Sequence, residues 1–154
     1  MPESGTDQIE LAGGGHFDLQ GAGPSLLVVY KSSCPTCRLM LPLIEESYRR
    51  SGTELAVFLV SQDDRETTAA FIDELGLTVP VLLDAPGYGL SVRVGLPGVP
   101  MTVRAEAGQL GEPIEGFDRM AIRELAADLA AVGSLPADLV VPFDAPDLPD
   151  FRPG

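Results

Sequence analysis

The stretch Leu26-Leu27-Val28-Val29-Tyr30-Lys31-Ser32-Ser33-Cys34-Pro35-Thr36-Cys37-Arg38 holds both cysteines of the chain. Its apolar first half reads as a strand covered on both faces of a sheet. Beyond Arg38, residues Met40, Leu43, Ile44 and Tyr48 recur at helical spacing, so Leu39 to Arg50 reads as a helix, with Pro42 expected to kink it. A buried strand that delivers a Cys-x-x-Cys pair to a helix start suits dithiol/disulfide chemistry. The two sulfurs can bridge, and the first lies where unpaired backbone N–H groups and the helix dipole favour a thiolate. The thiolate is the nucleophile of thiol–disulfide exchange. Cys34 is therefore expected to be the exposed, attacking thiol, and Cys37, one turn inside, the buried one.

Working outward, the Gly-rich segment before residue 25 offers two short strands, Ile9 to Ala12 and His16 to Leu19, which read as an N-terminal hairpin. After the first helix, Leu55 to Ser61 is a second buried strand. Asp63 and Glu66 have capping-box spacing ahead of a helix with Thr68, Phe71, Ile72 and Leu75 on one face, closed by Gly76. Val79 to Leu83 reads as a third strand and Leu90 to Val94 as a helical turn. Met101 to Ala105 and Leu110 to Glu115 form a candidate antiparallel hairpin, and Asp118 can cap a last helix carrying Ile122, Leu125, Ala126, Leu129 and Val132. This order predicts an α/β fold, a mixed β-sheet flanked by helices on both faces, over residues 1–135. Residues 136–154 contain five prolines, which suits an extended tail, although Leu139, Val140, Val141, Phe143, Leu148 and Phe151 are apolar enough to pack back onto the domain.

At 154 residues the chain is long enough for a core without disulfide staples. A net charge of -13, with Lys31 the sole lysine, would repel phosphate backbones and anionic surfaces, which argues against nucleic-acid and lipid partners. The longest apolar run falls far short of the ~18–20 residues of a membrane span. The polar, acidic start lacks the pattern of a signal peptide, which as written implies the cytoplasm; a leader removed beforehand would instead imply an extracytoplasmic protein.

Taken together, these features resemble the thioredoxin fold and, within it, the TlpA/ResA-like thiol–disulfide oxidoreductases. The resemblance covers about residues 16 to 132. It rests on Cys34-Pro35-Thr36-Cys37-Arg38, on Pro42 and on Gly98-Val99-Pro100 leading into a strand. The segment from Val57-Phe58-Leu59-Val60-Ser61 to Leu77-Thr78-Val79-Pro80-Val81-Leu82-Leu83-Asp84 resembles the β-α insertion of that group. It implies a thioredoxin-like sheet, exchange with cysteine-containing protein substrates and with a redox donor or acceptor, and no cofactor or metal. It also implies a cis Pro100 beside the cysteines, with the Val99 backbone free to pair with a partner strand. Pro35 and Thr36 then act as supporting residues that tune the couple, while Arg38 is either a solvated helix residue or a positive charge helping Cys34. Ser33 stands where an aromatic residue is common, and Val28 and Met40 stand where relatives carry carboxylates. Another carboxylate or water must then relay protons, or exchange is slow and selective.

Other readings of the same residues are a peroxiredoxin-like peroxidase, a non-catalytic thioredoxin-like binding module, a zinc site and a pair of inert buried thiols. Zinc needs more N/S ligands than two cysteines and His16 offer, and His16 reads as a surface hairpin residue. The peroxidase pattern wants Thr or Ser where Lys31 stands and Pro where Leu27 stands, and a second cysteine three residues on suits dithiol exchange better.

Overall fold

The computed structural model describes residues 8–95 and 98–154. Short strands β1 (Gln8–Glu10) and β2 (His16–Asp18) pair antiparallel as the expected hairpin. Strand β3 (Ser25–Tyr30) leads to helix α1 (Pro35–Arg50), β4 (Val57–Ser61) to α2 (Arg65–Leu75), and β5 (Val81–Leu83) to the short α3 (Gly89–Val94). Then come β6 (Met101–Glu106), β7 (Gln109–Leu110), β8 (Ile114–Glu115), β9 (Phe117–Asp118), α4 (Arg119–Val132), a 3-10 helix (Ala137–Asp144) and β10 (Phe151–Arg152).

The central sheet runs β5-β4-β3-β6-β7, with β8 also on β6. β3, β4 and β5 are parallel and β6 is antiparallel to β3. Every residue of β3 is buried, because a central strand packs both faces. Its alternate side chains part to opposite faces. Leu26, Val28 and Tyr30 meet Cys37, Met40 and Ile44 of α1, Phe71 of α2 and Ile122, Ala126 and Leu129 of α4. Leu27 and Val29 meet Val60, Leu82, Met101 and Val103, covered by Ile9, Leu19 and Leu90 from the hairpin and α3. The hairpin is tied to the sheet edge where Ala12 N–H donates to the Val81 carbonyl at 2.8 Å.

Three local expectations change. The α2 cap is Asp64, whose Oδ1 accepts from Thr67 N–H at 2.7 Å, not Asp63. Asp63 Oδ2 instead accepts from Ser32 N–H at 2.9 Å, across the parallel strands. The return strand of the second hairpin is split into β7 and β8, with Pro113, which has no N–H for a ladder, in the gap. The Pro-rich stretch read as an extended tail is folded over the domain. Leu139, Val140 and Phe143 of the 3-10 helix are buried against α1 and α4, and β10 pairs with β9. Apolar burial of those three side chains outweighs the prolines, which a short 3-10 turn and an edge strand tolerate.

Candidate active site

The site is built from the end of β3 upward. The chain leaves the sheet after Tyr30, turns through Lys31 to Ser33, and enters α1 at Cys34, the N-cap, with extended backbone (φ -88°, ψ 116°). The turn is closed by Cys34 N–H donating to the Lys31 carbonyl at 3.2 Å. Pro35 takes the first helical position, where its missing N–H costs nothing. The Cys34 sulfur does the work of a capping oxygen, accepting from Cys37 N–H at 3.2 Å.

Sixty-five positions further along the chain, the Val99 carbonyl accepts from Cys34 Sγ at 3.6 Å. The Val99–Pro100 bond is cis, and Pro100 is buried against the start of β6. Cys34, Cys37, Val99 and Pro100 therefore converge at one end of the sheet, next to the start of α1. Cys37 has no exposure at all and Cys34 only 9 %, which corrects the expectation of an exposed Cys34. Burial pushes the Cys37 thiol far above the ordinary cysteine range, and the Cys34 sulfur and the Asp63 carboxylate push it the same way. Burial likewise raises the Tyr30 phenol to about 12. Tyr30 packs in the core beneath the motif, stacked on Phe71 with ring centres 5.4 Å apart.

The supporting residues divide. Arg38 turns away from the sulfurs: its Nε donates to the Ser32 carbonyl at 2.8 Å, its Nη1 pairs with Glu74 at 2.6 Å, and its guanidinium lies over the Phe71 ring. Thr36 is buried, and its hydroxyl donates to the Pro153 carbonyl at 2.6 Å. A cleft of about 270 Å³ lies between Gly98–Met101, Gly116 and the last residues Phe151, Pro153 and Gly154.

Two participants escaped the reading of the sequence. Asp63, held by Ser32 N–H, acts on both Cys37 and Tyr30 through its negative charge, which pushes both groups up. The sequence carries no signal for it, because the parallel register that sets Tyr30 opposite Ser61 and brings Asp63 to Ser32 is a tertiary feature. The second is the segment after Asp150, for which the sequence held no signal beyond its apolar residues.

A family model for the AhpC/TSA family matches residues 14–101, more than half of the chain. The chain belongs to the AhpC/TSA family. Comparison with curated proteins gives no match. Among solved structures, it is similar to a thiol-disulfide isomerase from Corynebacterium glutamicum, with a TM-score of 0.65, 22% identity, and coverage of 80% of this chain and 92% of that one. It is also similar to StoA from Bacillus subtilis (TM-score 0.59, 21% identity, 71% and 86% covered). A third is a secreted Mycobacterium tuberculosis disulfide oxidoreductase homologous to E. coli DsbE (TM-score 0.54, 24% identity, 71% and 84% covered). These likenesses give this AhpC/TSA family member the thioredoxin-like fold: a mixed sheet with helices on both faces and an N-terminal hairpin.

Proposed function

We propose that this protein is a thiol–disulfide oxidoreductase that exchanges its Cys34–Cys37 pair with cysteines of partner proteins. The observation that carries the reading is the Cys34 sulfur at the α1 N-cap, held by Cys37 N–H and beside the Val99 carbonyl. Negative charge on that sulfur meets the unpaired N–H groups of the helix start.

As a reductant, the Cys34 thiolate attacks one sulfur of a partner disulfide. A Cys34–partner bond forms, the partner's S–S bond breaks, and its other sulfur leaves as a thiolate that takes up a proton. Cys37, having given up its proton, then attacks Cys34 Sγ. The mixed disulfide breaks, the second partner thiol is released, and the Cys34–Cys37 bond forms. Two electrons pass to the partner, and the same steps in reverse oxidise a partner dithiol. Val99 and Pro100 would hold the partner's backbone beside Cys34. The high affinity of Cys37 for its proton makes the second attack the step that needs a base, and the negative charge of Asp63 adds to that affinity. Asp63 acts here through Cys37 and is a positioning residue rather than a group that touches the partner.

The C. glutamicum isomerase and the M. tuberculosis oxidoreductase support dithiol exchange as the activity, and the secreted character of the latter supports an extracytoplasmic place of work over the cytoplasmic one. Among the described residues no helix is long and apolar enough to cross a membrane.

Replacing Cys37 by Ser should leave a Cys34 that attacks but cannot release its partner, so mixed disulfides accumulate on non-reducing gels; Cys34→Ser should trap nothing. Insulin reduction and peroxide consumption are measured beside it. Rapid peroxide consumption without insulin reduction or trapped adducts would replace exchange by the peroxidase reading.

A further inference from the structure

The groove beside Cys34 is already occupied by the chain itself. After Asp150 the backbone runs antiparallel to β9, with Phe151 opposite Asp118 and Arg152 opposite Phe117. Its entry is fixed by Arg119, whose backbone N–H donates to the Asp150 carbonyl at 3.0 Å and whose guanidinium pairs with the Asp150 carboxylate at 2.5 Å. The Arg152 carbonyl passes so near Gly116 that a methyl group there would lie 2.6 Å from it, and Gly116 has a φ of 67°, which glycine alone adopts freely. Pro153 then accepts the Thr36 hydroxyl from inside the Cys-x-x-Cys motif. Gly154 closes on the Val99 carbonyl and Pro100 nitrogen, so tightly that any side chain at 154 would overlap that carbonyl.

The Val99 carbonyl is thus approached both by Cys34 Sγ and by residue 154 of the same chain. Two backbones cannot share it. We propose that residues 151–154 are a resident ligand of the partner groove, and that a partner's extended cysteine-bearing segment binds by displacing them. The inference rests on the proposed function in one respect, the assignment of Val99 and Pro100 to the partner's backbone.

The balance of forces makes this segment displaceable. All four of its residues are exposed, including Phe151 at 56 %, so little apolar surface is returned to water when it leaves. What holds it beyond its Asp150 anchor is a two-residue strand pair and one hydroxyl bond, the mark of a segment that opens locally well below the cost of global unfolding. Phe143 and Leu139, by contrast, are buried and stay with the domain. While the segment is seated, partner affinity falls in proportion to the closed fraction. The occupant also indicates what the groove accepts: extended backbone with a carbonyl for Thr36 and a small residue over Val99.

The test compares the full chain with a chain ended after Asp150 and with Gly154→Val, all reduced and checked for fold by circular dichroism. Iodoacetamide labelling of Cys34, located by mass spectrometry, and insulin reduction are timed for each. Both variants should label Cys34 and reduce insulin about threefold faster or more, and a peptide of the sequence of residues 150–154, added at millimolar concentration to the shortened chain, should slow both again. Equal labelling rates in all three proteins would overturn the proposal, as would shortening that slows insulin reduction. Faster labelling with no insulin reduction by any of the three would leave the resident segment standing and remove the exchange function. Insulin reduction that shortening leaves untouched, with labelling also unchanged, would do the opposite.

Discussion

The units β3–α1 and β4–α2 lie side by side in the sheet, each a parallel strand feeding a helix whose first turn is closed by an N-cap side chain. In α2 the cap is a carboxylate: Asp64 Oδ1 accepts from Thr67 N–H at 2.7 Å, in solvent, and the interaction holds its carboxyl below the usual aspartate range. In α1 the cap is a sulfur: Cys34 Sγ accepts from Cys37 N–H at 3.2 Å, nearly out of solvent, with a second thiol one turn on and a carbonyl from a distant loop beside it. The backbone device is the same. What sets the Cys34 cap apart is the polarisable sulfur, its burial, the second thiol one turn on and the carbonyl brought to it by tertiary packing.

The largest expected effect comes from exchanging the devices. Cys34→Asp gives α1 a cap like that of α2, so helix content should persist while insulin reduction falls to the uncatalysed background. Retained exchange would mean that Cys34 is not the nucleophile.

Alkaline stability separates the buried thiol from the exposed carboxylate. The Cys37 thiol is raised from its ordinary value of 9.0, and Tyr30 from 10.0 to about 12, both chiefly by burial. Groups held protonated in the fold lend stability that is complete below their unfolded values and lost as pH rises through the folded ones. The melting temperature of the reduced protein should therefore decline above pH 9. In Cys37→Ser the decline should begin only near pH 10, where Tyr30 takes over. An identical decline in both proteins would assign it elsewhere.

A third experiment cuts the tie between the first unit and the loop that follows the second. Glu45 of α1 is buried and accepts from the Thr78 N–H and hydroxyl, Val79 N–H and Arg49 at 2.6–3.0 Å. Burial raises its carboxyl, but the Thr78, Arg49 and Val79 bonds together outweigh it and hold it below the usual range. Glu45→Ala leaves three buried or half-buried donors without their acceptor and should lower stability by about 2–3 kcal/mol in urea unfolding. Because a depressed carboxyl lends stability above its unfolded value and loses it as pH falls through the folded one, Glu45→Gln should also flatten the acid limb of the stability curve below its ordinary 4.5. A variant as stable as the parent at pH 7 would show the network to be dispensable.

Smaller effects sharpen the contrast. Asp64→Ala should lower the melting temperature by a few degrees while leaving the rate of Cys34 alkylation unchanged, since a cap contributes locally. Asp63→Asn removes a negative charge that pushes the Cys37 thiol up, so the pH midpoint of Cys37 alkylation should move down by a fraction of a unit. A midpoint that stays in place would take Asp63 out of the site.

Much of this is legible in the sequence. The hydrophobic run of β3 and the helical spacing after Arg38 are local signals, and so is the Asp118 cap of α4, which accepts from Ala121 N–H. The motif's place at a helix start followed from them. Asp63 and Asp64 were not separable by pattern, because either can cap a helix starting at Arg65; the Ser32 N–H across the sheet claims the first and leaves the second. Arg38 beside Cys37 reads either as a solvated helix residue or as a charge for the thiolate, and Glu74, thirty-six positions away, holds its partly exposed guanidinium away from the sulfurs. The prolines after Pro136 suggested an extended tail, and only the open flank of α1 and α4 shows what Leu139 and Phe143 were for.

The sequence by itself determined the elements, their order and the identity of the two sulfurs, since periodicity, capping residues and Cys-x-x-Cys spacing act within one or two turns of chain. Tertiary structure alone decided that Val99 would meet Cys34, that Asp63 would set its charge against Cys37, and that residues 151–154 would come to rest on the same carbonyl. The physical reason is range. Local backbone preferences are written in neighbouring residues, whereas exposure, charge and access at a site depend on segments that only the closing of one core brings together.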